Sequence, residues 1–442
     1  MKNSRKMTEV EKKSWLVVLF CILAYTCIST TFTFWPKIFV LFSVAHLSVT
    51  SAMTEDGVIS PALGGTVGTC FLIFYACGQL INGCLGDKFH PKAMICTGLM
   101  VAGIMNILMG LSSVGILFCV FWAVCGFACS MLWSPIVRAV SLWTTHEISL
   151  AAGVHLTTAI PLGTVVCYMI CALCMKVSTW RCAFIVCGII LCAASAVVFL
   201  CFTSLKEYAK VPEKTTVNKS EKLPFLKVFS IGILFTALAI VFNGILKDGL
   251  DLWIPTVLND RFIPDVSAVS LICSLLPIIN ISGAYGARFV FRKFKLDELS
   301  CCGVMFALSA LCLVIVTAFI SFTPAKSAGE EVGALGIVTA VFITILFAVS
   351  SAAMFGANTM LLTFIPLHYG KVGLASSVSG MLDCFSYAAA AVSNIAVGAV
   401  SEGAGWVKVF MLFVGCALVG LLISLAGHGK MKKTTDALDS AD

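Results

Sequence analysis

Three charges sit close together in an otherwise apolar run, Gly244-Ile245-Leu246-Lys247-Asp248-Gly249-Leu250-Asp251-Leu252-Trp253-Ile254-Pro255-Thr256. At bilayer depth each such charge costs at least about 2.5–3.5 kcal/mol on insertion scales, so it tends to face a watery cavity or a partner. The stretch is therefore expected to form one wall of a solute pathway, with Lys247 attracting an anion. The same three charges could instead neutralise one another as a structural cluster. Asp383 and Tyr387 fall four residues apart in a second apolar run, on one helix face. Asp383 is a candidate for solute binding or proton carriage, against an interhelical hydrogen bond. His155 would titrate near neutral pH and is either a ligand or a hydrogen-bonded core residue. Arg138 and Trp133 share Leu132-Trp133-Ser134-Pro135-Ile136-Val137-Arg138. The His, Asp and Ser residues form no nucleophile or metal spacing, and the vicinal Cys301-Cys302 lacks a zinc pattern. No cofactor, no metal and no enzymatic activity are expected.

These groups need elements that hold them in an oily medium. Of 442 residues, 60% are hydrophobic and 12% charged, about half the charge of a globular chain. Mean hydropathy is +1.03. A hydrocarbon core of about 30 Å calls for about 20 apolar residues per helix. The chain offers long continuous apolar runs, without the period-two alternation of a membrane strand. Helices are expected over about 14–36, 59–85, 92–112, 114–142, 148–175 and 182–205, then 228–258, 265–290, 299–322, 334–362, 370–399 and 405–427. The fold class is thus an all-α membrane protein of twelve transmembrane helices in two six-helix bundles. The domains would be 1–205, a basic linker 206–227, and 228–442 with a short polar tail past Lys430.

The net charge of +7 does not indicate nucleic acid, because the basic residues lie in short patches between apolar runs, where they set topology. Lys206, Lys210, Lys214, Lys219, Lys222 and Lys227 mark the linker as cytoplasmic. Only Lys37, Lys176, Arg181, Arg261, Lys326 and Lys408 fall between helices on the other side. An even helix count puts both termini in the cytoplasm. The cysteines, lying mostly inside apolar runs, are expected to be small packing residues.

Gly83-Cys84-Leu85-Gly86-Asp87-Lys88-Phe89-His90-Pro91-Lys92 lies between the second and third helices. It resembles the cytoplasmic loop signature of the major facilitator superfamily. Gly83, Asp87 and Lys88 are expected to act as a gate latch: glycine lets helices approach, and an acid can meet a helix N-terminus. The matching loop of the second half, Gly286-Ala287-Arg288 through Lys295, lacks the acid, so any latch there is expected to be looser. Trp133, Pro135 and Arg138, the run Ser178-Thr179-Trp180-Arg181-Cys182-Ala183-Phe184, and Lys247, Gly249 and Trp253-Ile254-Pro255-Thr256 together resemble the organophosphate:phosphate antiporter branch. That branch holds glycerol-3-phosphate and hexose-phosphate transporters and sensor relatives.

The resemblance implies that Lys247 helps hold a substrate phosphate in a central cavity. It also departs: Tyr25 and Pro36 are kept, but Ile28 stands where the branch has a first-helix Arg, so half of a two-cation clamp is missing. The expected function is secondary active transport of a small, anionic organic solute by alternating access. Arg138, Tyr25, Trp133, His155, Trp253, Asp251, Asp383 and Tyr387 would line the site with Lys247. Inorganic phosphate or H+ would be the counter- or co-ion. The alternatives are a non-transporting sugar-phosphate sensor and an H+-coupled symporter of a less charged solute. The expected setting is a monomer in the lipid bilayer of the cell membrane, with no nucleic-acid partner.

Overall fold

The computed structural model describes residue 12 and residues 15–24, 61–144, 146–204, 231–263, 266–322 and 334–439. The linker 206–227 lies outside them. The described residues form helices α1 (Trp15–Ala24), α2 (Pro61–Gly86), α3 (Pro91–Leu111), α4 (Gly115–Cys129), α5 (Trp133–Trp143), α6 (His146–Thr157), α7 (Ala159–Val177) and α8 (Trp180–Ser204) in the first half. The second half holds α9 (Ile231–Arg261), α10 (Val266–Lys293), α11 (Glu298–Phe322), α12 (Ala334–Thr359), a π turn (Met360–Phe364), α13 (Ile365–His368), α14 (Ala375–Ala404) and α15 (Trp406–Asp439). The expected spans fall on these helices or on broken pairs of them, except that residues 25–36 of the first span lie outside the described residues. Eight helical stretches among the described residues are long and apolar enough to cross a bilayer.

Local chemistry sets the breaks. Pro91 starts α3 at a position where a missing N–H costs nothing, and His90 Nδ1 caps the first turn by accepting from Lys92 N at 3.2 Å. The π turn runs into Pro366, whose ring nitrogen has no hydrogen to give to the preceding turn, so the backbone widens there. Gly405 ends α14 with φ +78°, a left-handed stop that favours glycine.

Helices pack by removing side chains. A Cβ on Gly188 would lie 2.7 Å from Gly103 O, and one on Gly103 2.9 Å from Gly188 O, so α3 and α8 touch backbone to backbone. An aromatic cluster of Phe71, Phe118, Trp122, Trp180 and Phe184 fills the first half. Large apolar residues such as Val177, Phe322 and Val392 are exposed on the outer surface, as lipid-facing positions require. The halves meet along two seams: α2 and α5 against α14, and α6 and α7 against α10.

The end of the chain departs from expectation. A polar tail was expected past Lys430, yet α15 continues as helix to Asp439. Met431 and Thr435 are buried, and Leu438 packs on the core. Spaced four and three apart, these residues make a narrow stripe that packs on the start of α9, where a Cβ on Gly232 would lie 3.0 Å from Met431 Cα.

Candidate functional site: a charged cluster beside a latch

Lys247 sits midway along α9 and is 8% exposed. Its Nζ lies 2.9 Å from Asp248 Oδ1 and 5.4 Å from the centroid of the Tyr387 ring. Asp251 and Asp383 are both within electrostatic reach of it. Asp251 Oδ1 accepts from Ser351 Oγ at 2.8 Å and Asn280 Nδ2 at 3.5 Å, tying α9 to α12 and α10. Asp248 Oδ2 is buried without a hydrogen-bond donor among the described residues. The cluster is therefore one cation among three carboxylates, with one carboxylate oxygen still able to accept.

The cluster reaches the seam through aromatic rings. Tyr387 meets Tyr75 of α2 edge-on, with centroids 4.9 Å apart. Tyr75 OH donates to Asp383 Oδ2 at 3.4 Å. Gln79 Nε2 donates to Tyr75 OH at 2.6 Å, and Ser134 Oγ donates to Gln79 Oε1 at 3.1 Å. A hydrogen-bond chain thus runs from α5 through α2 to α14, crossing from one half to the other. Tyr75, Gln79 and Ser134 escaped the sequence reading. Their signal was present: Tyr75, Gln79 and Gly83 recur every four residues along one face of α2.

Below that chain the seam closes. A Cβ on Gly380 would lie 2.7 Å from Gly83 Cα. Leu374, the N-cap of α14, offers no side-chain hydrogen bond to its own helix. The carboxylate of Asp87 does this from the other half: Ser376 N donates to Oδ1 at 3.0 Å and Ser377 N to Oδ2 at 2.8 Å. Burial pushes the Asp87 carboxyl up from its ordinary range, while the Ser377 and Ser376 bonds and the nearby Arg138 charge oppose that. Arg138 Nη1 donates to Gly86 O and to Phe89 O, the latter at 2.7 Å, and its Nε lies 4.0 Å from Asp87 Oδ1. Arg138 is thus part of the latch and is not drawn to Lys247. Lys88 is exposed beside it.

The other expected residues scatter. Trp133 is buried at the start of α5. Trp253 packs on Trp406, with centroids 5.8 Å apart, towards the opposite end of α9 from the latch. His155 Nδ1 lies 2.7 Å from Tyr285 OH, joining α6 to α10 at the second seam. Tyr25 lies outside the described residues. Arg181 donates to Gly110 O at 3.2 Å and Ser112 O at 2.6 Å, closing the end of α3.

Among the described residues, Lys247 is thus a buried cation near an inter-bundle seam that an acid and two glycines close. Residues 14–391 match the family model described as Major Facilitator Superfamily, and the chain belongs to that family. It is an integral multi-pass membrane protein of the major facilitator fold. Among its relatives is a "Probable hexose phosphate transport protein" of Chlamydia muridarum, 23% identical over 416 residues, with 88% of each chain covered. A protein of the same name from Chlamydia trachomatis is 22% identical, again with 88% of each chain covered. A "Glucose-6-phosphate exchanger SLC37A2" of Danio rerio is 24% identical over 181 residues, 39% of this chain and 36% of that protein.

Proposed function

We propose that the protein moves a small phosphate-bearing organic anion, of hexose phosphate size, by alternating access between bundles 1–205 and 228–442. The latch end and both termini face the cytoplasm, and the unit of function is a monomer in the cell membrane. The observation that carries this reading is Lys247, a buried cation stacked over Tyr387, one ring from the seam. Asp248 pairs with it at 2.9 Å. The solute's phosphate competes for Nζ, and a sugar hydroxyl donates to Asp248 Oδ2. A single Lys is a point charge without the bidentate fork of Arg, so the site favours an anion of modest charge. Releasing Asp248 perturbs Asp383 and Tyr75, which places the seam under solute control. Internal phosphate is the exchange partner.

A second reading has its own support. Three carboxylates around one Lys, with Asp383 on Tyr75 across the seam, suit proton coupling and a less charged solute. Uptake of labelled glucose 6-phosphate into proteoliposomes separates them. Exchange predicts uptake driven by internal phosphate at equal pH on both sides, and its loss in Lys247→Ala. Uptake that needs a pH gradient and ignores internal phosphate refutes exchange. Binding without flux marks a sensor.

A further inference from the structure

The two seams are not closed by the same chemistry. At the first, the acid Asp87 takes the N–H groups of α14. At the second, the corresponding stretch of α10 presents Arg288 and Arg292 instead, and they face a cavity of about 350 Å³. Its walls come from both halves: Trp15 of α1 and Ile148, Leu150 and Ala151 of α6 on one side, Phe291 of α10 and Phe364 of the π turn on the other. Two guanidinium groups one helical turn apart repel each other. No carboxylate lines this cavity among the described side chains, and neither arginine makes an ion pair with any described residue. His155 is bonded to Tyr285 just deeper along α10. A space this size, with positive charge at its edge and rings on its walls, is complementary to an organic anion.

We propose that this cavity is a second anion site, in which a phosphate group bridges Arg288 and Arg292 and supplies the negative charge that Asp87 supplies at the other seam. Each guanidinium offers a planar fork that fits phosphate oxygens two at a time. Trp15, Phe291 and Phe364 cover the uncharged part of the molecule. The occupant adds a contact between α10 and α6 at this seam, beside the 2.7 Å bond of His155 Nδ1 to Tyr285 OH that already joins them. The site is separate from Lys247 and stands whether or not Lys247 holds the solute. The phosphate belongs either to a free solute or to a lipid headgroup.

Binding of radiolabelled inorganic phosphate to the full-length Lys247→Ala protein, in discs of neutral phosphatidylcholine, isolates this site. The expected result is saturable binding that weakens at least tenfold in Lys247→Ala/Arg288→Gln/Arg292→Gln. An Arg288→Lys/Arg292→Lys version keeps the charge without the fork and should fall between the two. Unchanged melting temperatures show that the arginine changes leave the fold intact, since neither side chain anchors a protein group. Discs containing an anionic phospholipid assign the source: phosphate binding that is lost there points to a headgroup, and binding that persists points to a free solute. Equal phosphate binding with and without the arginines, or none in the Lys247→Ala protein, overturns the proposal.

Discussion

Asp87→Ala removes a carboxylate that caps α14 from the opposite half, and its effect can be worked from the geometry. Loss of a helix N-cap costs about 0.5–2 kcal/mol, a figure that already includes desolvation. Here a charged acceptor serves two N–H groups, at 3.0 and 2.8 Å, and the helix has no cap of its own. That puts the loss near the top of the range, about 2 kcal/mol, or about thirtyfold in the ratio of latched to unlatched protein. Lys88 and Lys371 are exposed on the two sides of this end, so fluorescent residues introduced there report the separation by single-molecule energy transfer. Asp87→Ala should shift the population towards long distances. Asp87→Asn keeps an acceptor oxygen and should shift it less. An unchanged distribution in Asp87→Ala would refute the idea that the acid holds the two halves together.

Three further outcomes follow from the packing. Gly380→Ala places a methyl against Gln79 O and Gly83 Cα, so α2 and α14 must part, and the same energy-transfer pair should lengthen even with Asp87 intact. Lys247→Ala leaves the half-buried Asp248 without its ion pair, which should cost about 1–3 kcal/mol; thermal unfolding should show the loss, and adding Asp248→Asn should recover much of it. Arg181→Ala uncaps the end of α3 and should cost about 1–2 kcal/mol; its melting temperature should drop while solute affinity in the folded protein stays the same.

The fold was legible because the signal that defines it is redundant. Most expected spans announce themselves through twenty or so apolar residues, and some ends fall at Pro91 and Gly405, whereas the breaks at Ser130–Leu132 and Thr158 carry no such signal. Lys247 and its carboxylates were equally plain, since charge inside an oily run has few explanations. Arg138 was harder to assign. Its spacing puts it in a helix but does not say at which end the next helix lies, and the carbonyls of Gly86 and Phe89 that hold it come from a turn about fifty residues earlier. Tyr75 and Gln79 went unseen because polar residues in an apolar helix also serve ordinary packing. Their role exists only once α14 is laid beside α2. The last turns of α15 were missed for a related reason: a stripe of only Met431, Thr435 and Leu438 among lysines looks solvated until α9 supplies the surface it covers.

Those last turns carry a practical corollary. Because Met431 is wedged against Gly232, the last turns of α15 work as a splint for α9. Cutting the chain at Gly429 would remove the brace and loosen the start of that helix, while a reporter fused after Asp442 would leave the brace intact.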